Sequence, residues 1–128
     1  MDGPVQAYWE KSKENLVAAE EARRTGSCNV AASRYYYALV LAGLALFERE
    51  RKAYDDWPGH PVFIQDASDL FAMRRYGDQS EMKDALEEAR QARVTADYEP
   101  YPVKANHLKY IFDTCEPMRE ALNLDLER

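Results

Sequence analysis

The stretch Cys28 to Phe47 constrains this chain more than any other. It reads CNVAASRYYYALVLAGLALF, and Arg34 is its only charged side chain. A helix that is apolar on all sides has to be surrounded, by lipid or by other helices. At ~1.5 Å rise per residue, ~20 residues would cross a bilayer. Arg34, Asn29, Ser33 and the run Tyr35-Tyr36-Tyr37 would then all need polar partners inside hydrocarbon. The remaining segments, moreover, are amphipathic and each offers an apolar stripe that needs covering. The stretch is therefore expected to be the central helix of a helical bundle, not a membrane span, with Arg34 as its anomaly.

The chain of 128 residues suits a single domain over 1–128 with a real core. A formal charge of −6 argues against a protein that coats nucleic acid by bulk electrostatics, though it leaves room for a local basic pocket. Cys28 and Cys115 both fall in apolar helical patterns and read as reduced core residues. The opening Met1-Asp2-Gly3-Pro4 leads into a polar amphipathic stretch instead of a signal peptide, so a cytoplasmic protein is expected.

Pro4 suits the first turn of a first helix, with Asp2 or Gly3 as its cap, and Trp9, Leu16, Ala19 and Ala22 share a face. Thr25-Gly26 stops that helix, and Ser27 or Asn29 caps the central one, which runs to about Arg51. Asp55 to Pro61 is a loop rich in turn formers and contains His60. A third helix is predicted from Val62 to Tyr76, closed by Gly77. Asp78 with Glu81 forms a capping-box start to a fourth, whose stripe is Met82, Leu86, Ala89, Arg93 and Ala96. Pro100 and Pro102 interrupt the chain before a last helix with Leu108, Ile111, Cys115, Met118 and Leu122 on one face. Pro117 should kink that helix or end its first half. With short connections and no strand candidate, the expected fold is all-α, an up-and-down antiparallel bundle of about five helices.

Arg93 sits in an apolar stripe, where a permanently charged guanidinium needs a carboxylate, a carbonyl or a ligand anion. Asp97 follows four residues later on the same face, then Tyr98. Arg34 poses the same question on the central helix. Two inward arginines with Tyr35, Tyr36, Tyr37, Tyr98 and Tyr101 nearby would make an anion pocket. The plainer alternative ties Arg93 to Asp97 along one helix and Arg34 to another acid. Burial of the Arg93 guanidinium against Asp97 would favour that alternative; exposure in a cleft would favour a ligand.

The run Ala31-Ala32-Ser33-Arg34-Tyr35-Tyr36-Tyr37-Ala38 resembles the central helix of the HEPN superfamily, in particular its small stand-alone bacterial and archaeal members. Glu88-Ala89-x-x-Ala92-Arg93-x-x-Ala96-Asp97-Tyr98 is similar to the same members' Arg-x-x-Ala-Asp-Tyr signature, and His60 followed by Phe63 and Phe71 to a further, weaker region. The resemblance implies a helical domain that acts as a homodimer and is often encoded beside a minimal nucleotidyltransferase partner. It also implies metal-independent endoribonuclease chemistry of the toxin–antitoxin or defence type, with no cofactor and no metal. In that chemistry an Arg is followed after four to six residues by a His: the guanidinium neutralises the scissile phosphate and the imidazole moves a proton.

This sequence departs from the pattern, because the positions after Arg93 where His should stand hold Tyr98, Glu99 and Pro100. Neither His60 nor His107 has an arginine at the required spacing before it. Tyr98, with an unperturbed pKa of ~10, is a poor base near neutrality. The catalytic candidates are therefore Arg93, Asp97, Tyr98 and, from across the bundle, His60; the ligand-binding candidates are Arg34, Tyr35, Tyr36 and Arg93. Three functions compete: a dimeric module that binds RNA or a nucleotide without standard catalysis, a divergent metal-independent endoribonuclease toxin, and a purely structural partner subunit of a nucleotidyltransferase.

Overall fold

A computed structural model describes residues 2–128 of the chain. Five helices account for the described fold: α1 (Gly3–Arg24), α2 (Cys28–Arg49), α3 (His60–Met73), α4 (Gln79–Tyr98) and α5 (Ala105–Glu127). They form an all-α bundle with no strand among the described residues. The core draws on all five, from Val5 in α1 to Leu126 in α5, with α2 in the middle.

Length and mean hydropathy (1.4) would let α2 cross a membrane, but 72% of its apolar window is buried inside the bundle, so its apolar surface is already covered by protein. Small residues let the neighbours approach closely. A Cβ added at Gly43 would meet Phe63 Cζ at 2.8 Å, and Phe63 is itself fully buried. Glycine at this position is thus the condition for seating the α3 ring against the α2 backbone. On the other side of α2, the buried Ser12 hydroxyl of α1 donates to the Ala38 carbonyl at 2.7 Å.

The first three helices end alike. After α1, Gly26 takes φ +83°, Gly26 N–H donates to the Arg23 carbonyl (3.2 Å) and Ser27 N–H to the Ala22 carbonyl (2.7 Å), which satisfies two carbonyls of the last turn. Arg51 (φ 57°) after α2 and Arg75 (φ 64°) after α3 play the part of Gly26, with the same pair of bonds behind them. The expected stop at Gly77 is therefore displaced: α3 begins two residues early, at His60, with Gly59 (φ 98°) as its cap residue, and ends at Met73 before the turn at Arg75. A left-handed arginine carries no mark in the sequence, whereas glycine does.

Asp2 caps α1 by accepting from Val5 N–H at 3.1 Å, and Asp78 caps α4 by accepting from Glu81 N–H at 3.0 Å, both as the spacing predicts. Ser27 occupies the cap position of α2 without a side-chain bond, and Asn29 instead accepts from Val103 N–H at 2.9 Å, pinning the segment that leads into α5. Pro117 does not end the first half of α5, which runs through it to Glu127. The buried Leu108, Ile111, Phe112 and Cys115 before the proline and Met118, Leu122 and Leu126 after it hold both halves to one core, which outweighs one missing backbone bond.

At one end of the bundle, Asp125 joins three helix termini. Arg74, the residue that ends α3, holds its carboxylate in a fork (Nε–Oδ2 2.9 Å, Nη2–Oδ1 2.8 Å). Arg49 of α2 approaches Oδ1 at 3.2 Å and donates to the Asp125 carbonyl at 2.6 Å, and the Tyr76 hydroxyl donates to Oδ2. Arg49 and Arg74, each at the C-terminal end of its helix, thus clamp a buried carboxylate.

Candidate functional site

Successive residues on a helix point ~100° apart, so the three tyrosines of α2 serve three different neighbours. Tyr35 faces α5, stacked on Phe112 at 4.0 Å with planes 16° apart. Tyr36 turns toward the start of α3 and bonds His60 Nδ1 through its hydroxyl at 2.7 Å. Tyr37 reaches α4, where its hydroxyl accepts from Arg93 Nη2 at 2.6 Å.

Arg93 is enclosed, with 13% of its side chain exposed. Its guanidinium lies over the rings of Tyr37 (5.2 Å) and Tyr98 (5.1 Å), and Nη2 also reaches the Tyr98 hydroxyl at 3.3 Å. Nε stands 3.0 Å from Asp97 Oδ2, but its N–H is not aligned on that oxygen and the buried Nε has no hydrogen bond. Distance makes this an ion pair; direction withholds the bond. Burial works against the charge, and Tyr37, Tyr98 and Asp97 outweigh it, so the Arg93 pKa is raised above the ordinary value. Asp97 Oδ2 in turn accepts from the buried Ser33 hydroxyl of α2 at 3.3 Å.

His60 occupies the first turn of α3, its ring 5.4 Å from that of Tyr36 and edge-on to Trp57 at 5.0 Å. Burial lowers its pKa, and the positive charges of Arg93 and Arg90 lower it further. An imidazole with an unperturbed pKa of ~6.5 shifted downward is neutral at pH 7. Its tautomer follows its bond: a Tyr36 O–H that donates to Nδ1 leaves the ring proton on Nε2, and the reverse frees the Nε2 lone pair. The Tyr36 phenol is itself pushed up by burial, against the pull of Arg90 and Arg93, so it stays protonated.

Arg90 is the member that sequence reasoning missed. It stands one turn before Arg93 on the same face of α4. It acts electrostatically on both Tyr36 and His60, it pairs with no carboxylate among the described residues, and its buried Nε has no hydrogen-bond partner. The three-residue spacing from Arg93 was the signal available.

The expected sets are thus brought together in part. Arg93, Asp97, Tyr98, Tyr37, Tyr36 and His60 form one connected cluster between α2, α4 and the start of α3. Arg34 is not among them: it is exposed and its Nη1 lies 3.3 Å from Asn15 Oδ1 of α1. Tyr35 is fully buried on the α5 side, and its hydroxyl has no partner. The guanidinium of Arg93 is buried against Asp97, the arrangement expected for a structural ion pair. His107 is a surface histidine 3.5 Å from Glu88. No group of His, Cys, Asp and Glu able to hold a metal occurs among the described residues. Chemically, the cluster offers two guanidinium groups against one carboxylate, a neutral imidazole and the three phenols of Tyr36, Tyr37 and Tyr98, a set that can hold an anion but puts no histidine at the motif spacing from Arg93.

In comparisons with known proteins, the family model described as HEPN domain matches residues 5–124. No curated protein and no solved structure matches the chain.

Proposed function

The chain belongs to the HEPN domain family, and on that premise we propose that it is a non-cleaving module that binds the phosphate of RNA or of a nucleotide at the Arg90–Arg93 face of α4. One observation carries this reading. Asp97 answers for one positive charge, and Arg90 keeps a buried, unpartnered N–H beside a neutral imidazole. A buried donor without an acceptor carries a penalty of ~1–3 kcal/mol, more for a charged group, and a phosphate oxygen would relieve it. Arg93, already held by Tyr37 and Asp97, orders the face; Arg90 meets the ligand. The exposed ring of Tyr98 at its edge is available to stack a base.

On this reading the protein acts in the cytoplasm as a homodimer in a toxin–antitoxin or defence setting, with a minimal nucleotidyltransferase as the partner to seek. The missing histidine after Arg93 supports binding over cleavage, since His60 is fixed to Tyr36 and lies on another helix.

The test is the affinity of a labelled single-stranded RNA for wild type, Arg90→Ala and Arg93→Ala in EDTA, with ATP as competitor and the RNA recovered on a gel. Expected are an intact RNA, about tenfold weaker binding for Arg90→Ala and a salt slope reduced by ~0.7. Equal affinity of wild type and Arg90→Ala would refute it. A second reading is favoured by the burial of Arg93: the cluster only fastens α4 to α2. It predicts that Arg93→Ala loses stability while no variant changes RNA binding. Cleavage by wild type that disappears in His60→Ala would instead support the divergent endoribonuclease.

A further inference from the structure

A cavity of about 250 Å³ lies beside the C-terminal half of α2, lined by Tyr8 of α1, Leu44 and Glu48 of α2, and Ala53 to Trp57 of the connection to α3. Three of its lining residues are aromatic (Tyr8, Tyr54 and Trp57) and three are acids (Glu48, Asp55 and Asp56). We propose that this cavity binds an organic cation, an alkylammonium or guanidinium head group, between the aromatic rings and under the carboxylates.

The charge in the cavity is not balanced from within. None of the three acids belongs to an ion pair among the described residues, and no lysine or arginine lines the cavity. The nearest basic residue in sequence to the loop acids, Lys52, lines a separate cavity with Asp66 and Asp69 on the far side of Tyr54. Tyr54 is the partition: it lines both cavities, its hydroxyl donates to Asp66 Oδ2 at 2.6 Å, and its ring meets Phe47 edge-on at 5.5 Å.

The walls choose between kinds of cation. The carboxylates are not gathered in a group that could chelate a metal. A bare or hydrated metal also prefers oxygen on every side. A weakly hydrated organic cation prefers aromatic faces, whose quadrupole attracts it, with carboxylates at a distance. The aromatic wall is held in place: Trp57 packs against Phe63 (5.6 Å) and His60 (5.0 Å) and remains 46% exposed. A ring ordered by the core yet open to solvent has little conformational freedom left to lose on binding.

The source of such a head group is either a free small molecule or a lysine or arginine side chain of another protein, and two probes separate them. Choline chloride and acetyl-arginine amide are titrated into the wild-type chain, and ¹H–¹⁵N spectra follow the Trp57 indole, distinguished from that of Trp9 by the spectrum of Trp9→Phe. Sodium chloride at matched ionic strength and 3,3-dimethylbutanol, the uncharged counterpart of choline, serve as controls. The expected result is a saturable shift of Trp57 with at least one cation, absent with both controls. Preference for choline points to a free ligand and preference for the arginine amide to a partner side chain. Asp55→Asn with Asp56→Asn, both at exposed loop positions, should weaken the binding about tenfold while leaving the rest of the spectrum in place. No saturable shift with either cation, an equal shift with dimethylbutanol, or undiminished binding by the double variant would overturn the proposal.

Discussion

Removing the charge of Asp125 should unfasten three helices at once. The residue is 8% exposed, accepts a two-pronged bond from Arg74 and a bond from Tyr76, and lies 3.2 Å from an Arg49 nitrogen that has no hydrogen bond of its own. The Arg74 bonds, working against burial and helped by Tyr76 and Arg49, hold its carboxyl down at about 2, against an ordinary 3.8. That difference corresponds to roughly 2.5 kcal/mol of stability at neutral pH. Asp125→Asn keeps the shape but strands two guanidinium groups, so its cost should lie between that figure and the ~3–5 kcal/mol typical of breaking a buried pair. The sign with pH is fixed, because the folded-state pKa is depressed. The contribution is complete above the unfolded carboxyl's pKa and disappears as pH falls through the folded one. Urea unfolding of wild type and Asp125→Asn near pH 6 and near pH 3 measures this, and the gap should narrow by about 1 kcal/mol at the lower pH. A gap under about 0.5 kcal/mol near pH 6, or one that does not change with pH, would show that the clamp contributes no net stability.

Gly43→Ala should lower stability by about 1–3 kcal/mol by forcing a methyl against Phe63, and combining it with Phe63→Leu should restore part of the loss, as thermal or urea unfolding would show. Arg75→Gly should do the opposite, relieving a left-handed side chain worth ~1–2 kcal/mol of strain less the added freedom of the unfolded glycine, and it should raise Tm by a few degrees. Asp97→Ala should uncover Arg93, tightening RNA binding several-fold at low salt while lowering stability; weaker binding would contradict the assigned roles. RNA incubated with the wild-type chain in EDTA should remain intact on a gel, and specific cleavage would replace the binding reading with a catalytic one.

The sequence by itself determined the helices and their number. An apolar run with a single charge had to be wrapped by amphipathic partners, and Asp2, Asp78 and Gly26 marked helix ends because capping is local chemistry between residues three or four apart. It also determined that Arg93 faced inward, since the stripe on α4 has one apolar face to define the direction. On α2 no such direction existed. A helix that is apolar all round does not say which neighbour each side chain meets, so Tyr35, Tyr36 and Tyr37 were legible as a triplet but not as three destinations, and Arg34 was placed inward although it points to α1 and solvent.

Only the tertiary structure decided the rest. It set His60, the first residue of α3, against Tyr36, twenty-four residues away in the chain, and made it neutral by enclosing it near two arginines. It carried α5 through Pro117 because both halves share one core. It drew Arg49 from the end of α2, and Arg74 and Tyr76 from the end of α3, onto Asp125. Caps and stripes are written in neighbouring residues, whereas a charge's partner and a side chain's burial depend on which helices lie alongside, a choice made jointly by the whole bundle when it closes.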